Sequence, residues 1–313
     1  MTGMNRTAAH AAPGPAGHTQ ETPTQSVTAL ALRTGSAAQQ VSFCSGVAIA
    51  GESRDHNRTW ETATLAMDLP SRSIVTHHRH TDHQLVYASA GVIAVTTPAG
   101  SWIAPANRAI WIPAGESHEH RAYGPTRLHG VGLPVDCDPL GLTGSAVVTA
   151  SPLLRELIIH YTQGEAESQT PACRARVMAV LVDLLAVAPQ QPIRLPAPRD
   201  SRLVRACRLV ESDLAVSLGL EELATCSRAS ARTLARLFRD EMAMSYVQWR
   251  TQLRLFHALR MLADGAPVNL VARRCGWKST SNFVEVFRRT YGYTPGGVRR
   301  RHEPGSVAGA SRL

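Results

Sequence analysis

One pattern occurs twice in the last third of this chain, and it restricts the fold more than any other feature. The first copy is Leu220-Glu-Glu-Leu-Ala224, a short gap, then Ser230-Ala-Arg-Thr-Leu-Ala-Arg-Leu-Phe238. The second is Val268-Asn-Leu-Val-Ala272, then Cys275-Gly-Trp-Lys-Ser279-Thr-Ser-Asn-Phe-Val-Glu-Val-Phe287. Each reads as a short helix, a tight turn and a second helix opened by a serine. Ser230 and Ser279 suit N-caps, because a hydroxyl there accepts from an orphan backbone amide. In the second helices Leu234, Leu237 and Phe238, and again Phe283, Val286 and Phe287, fall at i, i+3, i+4, so both triplets face a core. The opposite faces carry Ser230, Arg232, Thr233, Arg236 and Arg239 in the first copy, and Ser279, Ser281, Asn282, Glu285, Arg288 and Arg289 in the second. A second helix with a polar, cationic outer face has the form of a reader of the DNA major groove. Between the copies, Met244 to Leu262 predicts a helix of about 28 Å, comparable to one DNA turn of about 34 Å.

Charge placement agrees. The chain is 313 residues long with net charge +9. From Arg199 to His302 there are 19 Lys+Arg against 9 Asp+Glu, so the remainder is near neutral. A locally basic segment suits a polyanion. Arg232 and Arg236 are the candidates for base edges, since arginine grips guanine bidentately. Arg288 and Arg289 suit phosphate. Glu285 suits either a cytosine amine or a neighbouring cation. The six cysteines (Cys44, Cys137, Cys173, Cys207, Cys226, Cys275) contain no C-x-x-C pair, which suits a reducing cytoplasm. No apolar run is long enough for a membrane helix, and the first residues lack a basic segment followed by an apolar run, so secretion is not expected.

Residues 201–301 resemble the DNA-binding domain of the AraC/XylS family of bacterial transcription regulators. The matching positions are Leu223-Ala224, Ser230, Arg232, Leu234, Arg236, Phe238, Ser245, Trp249, Arg254-Leu255, Ala258, Met261-Leu262, Val271-Ala272, Gly276-Trp277, Ser279, Phe283, Phe287-Arg288-Arg289, Gly292 and Thr294-Pro295. Three positions depart: Ala243 stands where the family usually has Gly, Glu285 where many members have Arg, and Val298 where an aromatic is usual. The resemblance implies promoter DNA and RNA polymerase as partners, a small-molecule or metal effector, and a homodimer as one arrangement. It implies no enzymatic activity and no membrane contact.

The other two thirds have a different texture. Residues 1–40 predict a disordered leader, and 303–313 a flexible tail. From 41 to about 140, apolar runs such as Gln84-Leu-Val-Tyr87, Val92-Ile-Ala-Val95 and Ala109-Ile-Trp-Ile112 alternate with Gly and Pro, predicting short strands of a β-sandwich or barrel. Residues 150–188 predict helices, with Ser151 as N-cap, Pro152 at N1, and a stripe of Val177, Val180, Leu181, Leu184 and Leu185. That stripe suits packing on the sandwich or a dimer seam. Residues 189–199 read as a Pro-rich linker before the domain at 200–302. The fold class expected is therefore α+β, a sandwich or barrel followed by an all-α domain with two helix-turn-helix units.

Within the β region, His78-x-His80-x3-Gln84-x6-Gly91 and Pro113-x-Gly115-x2-His118 resemble the two cupin motifs, with Gln84 where a Glu ligand is usual. The resemblance implies a sensor pocket formed by His78, His80, Gln84 and His118. Neutral imidazoles there suit one divalent ion, Zn, Fe, Ni or Mn; an organic effector is the other occupant. His77, His83 and His120 are expected to face away, and Trp102, Trp111 and Tyr87 to be core. Three functions remain in view. The leading one is a regulator, expected as an activator, of a promoter near a transporter gene, as in a subfamily that includes regulators of efflux genes. The second is a metal-dependent dioxygenase or isomerase fused to a DNA-binding module, disfavoured by the missing carboxylate. The third is a DNA binder without sequence preference.

Overall fold

A computed structural model describes residues 40–41, 64–163, 170–191 and 193–300. The leader and tail expected at the two ends lie outside these residues, apart from Gln40. The β region forms a ten-stranded sheet: β1 (Gln40–Val41), β2 (Leu65–Leu69), β3 (Ile74–His78), β4 (His83–Thr97), β5 (Gly100–Pro105), β6 (Arg108–Ile112), β7 (His118–Leu133), β8 (Ala146–Thr149), β9 (Gln190–Gln191) and β10 (Arg194–Pro196). Every pairing but the parallel β1–β3 is antiparallel.

Two of the expected short strands prove to be one. The runs at 84–87 and 92–95 join in β4, which pairs along nearly its whole length with β7. Gly91 does not end the strand. It takes φ +75°, and a Cβ there would lie 2.2 Å from Thr126 Oγ1. The strand bulges at this close approach instead of turning, and the β4–β7 register shifts on both sides of Ala90. Bent in this way, β4 pairs with β6 through Gln84–Tyr87 and with β5 through Val92–Thr97.

Side-chain alternation along β4 divides the β region into two cores. Val86, Ala88 and Ile93 point to one side with Ile103, Ile110 and Ile112. Leu85 and Tyr87 point to the other with Trp111, Val131 and Leu133. Two helices cover this second face, α1 (Pro152–Gln163) and α2 (Pro171–Ala186). Ser151 Oγ accepts from Leu154 N at 3.2 Å, as its place before Pro152 predicts. Leu181 and Leu185 are fully buried against the sheet, while Val180 is 45% exposed. The stripe thus packs on the sandwich. His129 ties α1 down, with Nε2 2.8 Å from Ser89 Oγ and Nδ1 2.6 Å from Thr162 Oγ1. Trp102, Trp111 and Tyr87 are core, as expected.

The Pro-rich stretch is no free spacer. Gln190–Gln191 adds to β8, and Arg194–Pro196 adds to β5. From there the chain is helical: α3 (Ser201–Ser212), α4 (Leu220–Cys226), α5 (Ala231–Met242), α6 (Tyr246–Ala263), α7 (Val268–Arg274), α8 (Thr280–Tyr291) and α9 (Gly296–Arg300). Two helix pairs, α4/α5 and α7/α8, flank α6. At 18 residues and 1.5 Å each, α6 is about 27 Å long. Ser245 and Gln248 close its first turn as a reciprocal capping box. No described helix is long and apolar enough to cross a membrane.

Helix α5 ends at Ala243, which adopts φ +54° in the left-handed region. Ala243 N donates to Arg239 O at 3.1 Å, closing the last turn. A Cβ in this conformation costs roughly 1–2 kcal/mol, whereas glycine loses more chain entropy on folding. Ala243→Gly should therefore raise stability by about 0.5–1 kcal/mol. Urea unfolding of the two proteins checks this, and an equal or lower midpoint for the variant would refute it.

Candidate DNA interface and histidine site

Helices α5 and α8 are built as the sequence predicts. Ser230 Oγ accepts from Thr233 N at 3.1 Å, and Ser279 Oγ from Asn282 N at 3.2 Å. These caps satisfy amides at the helix ends that would enter a groove. Leu234, Phe238, Phe283 and Phe287 are fully buried, and Leu237 nearly so. Val286 is only half-buried. On the opposite faces Arg232, Arg236, Arg239, Ser281, Asn282, Glu285, Arg288 and Arg289 are all exposed, with Thr233 half-buried beside Ser230. Arg236 Nη1 donates to Asp240 Oδ2 at 3.2 Å, one turn on. An exposed pair of this kind is worth only about 0.3–0.5 kcal/mol, so it does not restrain Arg236 from a better acceptor. The turn before α8 is set by Gly276 at φ +75°, where a Cβ would meet Leu214 O at 2.2 Å.

The histidines converge at the other site. His78 lies at the end of β3, His80 just beyond it, and His118 and His120 at the start of β7. Ring centroids are 4.2 Å apart for His78–His118, 4.9 Å for His118–His120 and 4.9 Å for His78–His80. His78, His118 and His120 offer ring nitrogens that all lie within 4.8 Å of one another. His120 was expected to face away, and here the expectation is corrected. Residues 118 and 120 are two apart on one strand, so the pleat sends both side chains inward. His120 is 1% exposed, and neither of its ring nitrogens has a hydrogen-bond partner. His80 Nε2 is likewise buried without one. His77 does face outward, 3.6 Å from Glu119 Oε2. His83 lies apart, stacked on Trp111, with Nδ1 accepting from Ala114 N.

Backbone carbonyls fix the tautomers. His78 Nδ1 lies 2.7 Å from Thr76 O, and His118 Nδ1 lies 2.8 Å from Glu116 O. A carbonyl only accepts, so each Nδ1 carries the proton and each Nε2 presents a lone pair to the cluster. His118 Nε2 in turn lies 3.1 Å from Gln84 Oε1. A neutral imidazole has one N–H and cannot donate to both oxygens. Burial keeps these rings neutral, lowering the His118 pKa to about 3 and that of His80 to about 4. Burial also lowers His78, and pushes His120 well down. The chemistry is thus several neutral nitrogen donors and one amide turned inward. Such a donor set fits a divalent ion of borderline softness. A spacing of 3.1 Å also suits adjacent ligands with bonds of about 2.0–2.2 Å. No carboxylate joins the cluster among the described residues: Glu116 Oε2 accepts from Ser145 N and Oγ, and Glu119 pairs with Arg121.

Known proteins agree with the helical part. A helix-turn-helix domain model matches residues 223–301. The chain is 31% identical over 226 residues to the HTH-type transcriptional regulator NimR of Escherichia coli, covering 70% of this chain and 80% of that protein. It is 38% identical over 101 residues to the HTH-type transcriptional regulator RipA of Corynebacterium glutamicum, covering 32% and 30%. Among solved structures, an AraC-type transcriptional regulator from Chromobacterium violaceum is 26% identical, covering 33% of this chain and 95% of that one at a TM-score of 0.31. The chain belongs to the AraC-type family of helix-turn-helix transcription regulators. It is accordingly a DNA-binding regulator of transcription.

Proposed function

We propose that this regulator reads a bipartite promoter site with α5 and α8 and answers to a divalent ion, or a ligand held through one, in the histidine site. The observation that carries the sensor half is the pinned tautomers of His78 and His118 beside the unpartnered ring of His120. His78, His118 and His120 would hold the ion, with His80 and Gln84 beside them. A bound ion supplies the positive charge that these lone pairs face. The rings themselves stay neutral, because burial lowers their pKa values. An all-imidazole set without a carboxylate departs from the two-His-one-carboxylate arrangement of non-haem iron oxygenases, so regulation is preferred to catalysis. RNA polymerase, a second copy of the chain and promoters near transporter genes complete the reading, with the cytoplasm as its place of action.

The DNA half is tested by two classes of substitution. Arg232→Ala or Arg236→Ala should cost about 1–3 kcal/mol on specific DNA and relax preference at a few adjacent bases. Arg288→Ala or Arg289→Ala should weaken all sequences alike and reduce the slope of log K against log salt by roughly one unit each. Footprinting and binding titrations on the upstream DNA measure both. Identical selectivity profiles for the two classes would overturn this assignment of faces.

A further inference from the structure

The strand that carries His118 and His120 continues, three and four residues beyond His120, into a contact with the DNA-reading part. Asp264, the residue that caps α6, accepts at Oδ1 from Gly124 N and from Ser71 Oγ, both at 3.1 Å. Its Oδ2 lies 3.7 Å from Arg72 Nε. The Arg260 guanidinium, one turn earlier on α6, sits 4.7 Å above the Tyr123 ring. A third tie reaches α8, where Asn107 Nδ2 donates to Tyr291 O at 2.8 Å. All three grip the side of α6 and α8 that builds the second reading unit. The Asp264 and Arg260 ties rest on a weak stretch of sheet, while Asn107 reaches α8 from the turn between β5 and β6. Gly124 has φ +67° and Arg72 φ +68°, and the β4–β7 ladder skips register opposite this stretch. The turn holding Ser71 and Arg72 is joined to the same strand, since Arg72 N donates to Ala122 O and Ala122 N to Ser73 O.

We propose that the 123–124 segment of β7 is a latch through which the histidine site sets the position of the second reading helix. This rests on the reading of that site as an ion-binding sensor. At about 3.3 Å per residue, His120 and Tyr123 are roughly 10 Å apart along one strand. Drawing His118 and His120 together around an ion moves the start of this strand. The bulge turns that movement into a changed seat for Asp264, so α8 is placed differently while α5 is not. Coupling through such an element typically changes affinity about 5–150-fold.

The test uses the full chain, its upstream DNA, and zinc or a chelator as the only effectors. Wild type should bind zinc and change its DNA affinity at least about fivefold between the two conditions. Asp264→Ala combined with Asn107→Ala should bind zinc equally and change less than twofold. Arg72→Gly gives a second variant that relieves the positive φ and should blunt the response without harming the fold. Variants that respond as wild type does, or a zinc-loaded wild type that does not respond, overturn the latch. If wild type binds no zinc, the sensor reading fails alone. The latch then stands only if the double variant differs from wild type at least about fivefold in zinc-free DNA affinity, and it falls if the two are equal.

Discussion

Phe287→Ala is expected to destabilise the protein by about 3–5 kcal/mol, the range for deleting a buried aromatic ring. Phe287 is fully buried, in ring contact with Phe283, Tyr291 and Tyr293. The buried neighbours Phe283 and Tyr291 are themselves large rings packed in the same cluster, and Val286 is only half-buried, so little is left in α8 to close over the gap. The loss therefore falls on the second reading unit, and DNA protection should shrink toward the half read by α5. Glu285→Ala, on the exposed face of the same helix, should change stability by no more than about 0.5 kcal/mol. Urea unfolding of both variants decides the matter. A Phe287→Ala cost below about 1 kcal/mol would mean that α8 is not held as described.

The second large effect belongs to His120. Losing even an outer partner of a metal ligand costs about 10–100-fold in affinity, so His120→Ala should weaken zinc binding at least about 100-fold. Zinc content after dialysis, compared with wild type, gives the result. His77→Ala is the control, since His77 is half-exposed and pairs with Glu119 outside the cluster. Equal zinc in wild type and His120→Ala would remove His120 from the site. Equal loss in both variants would place the ion elsewhere.

The helical part could be read from sequence because its signals are local. Ser230, Ser279 and the i, i+3, i+4 triplets specify caps and buried faces within a dozen residues, and the structure places nearly all of them as expected. The sheet gave up less, because its decisive contacts lie far apart in the chain. Gly91 reads as a turn until Thr126 is seen against its Cα. Gln190–Gln191 and Arg194–Pro196 are too short to show any alternation, so their pairing with β8 and β5 leaves no trace in residue type. His120 is a different case. Its inward direction follows from the two-residue spacing to His118, and the motif for the histidine site simply drew attention to one of the two. The tautomers of His78 and His118 depend on carbonyls of Thr76 and Glu116, whose direction only a folded backbone reveals.

The buried apolar cluster that begins at Val86 and Ile93 in the sheet does not stop at the end of the linker. It continues without a break into Leu203, Leu253 and Phe287, with Leu195 of the linker packed against it. In a chain joined like this, the β region and the helical region are not interchangeable parts. A chimera that grafts a relative's β region onto these helices would have to bring partners for Asp264, Tyr291 and Arg260 with it. Without them, and without a surface matched to Leu203, Leu253 and Phe287, each half would show a wet, unmatched apolar face to the other, even with both halves folded.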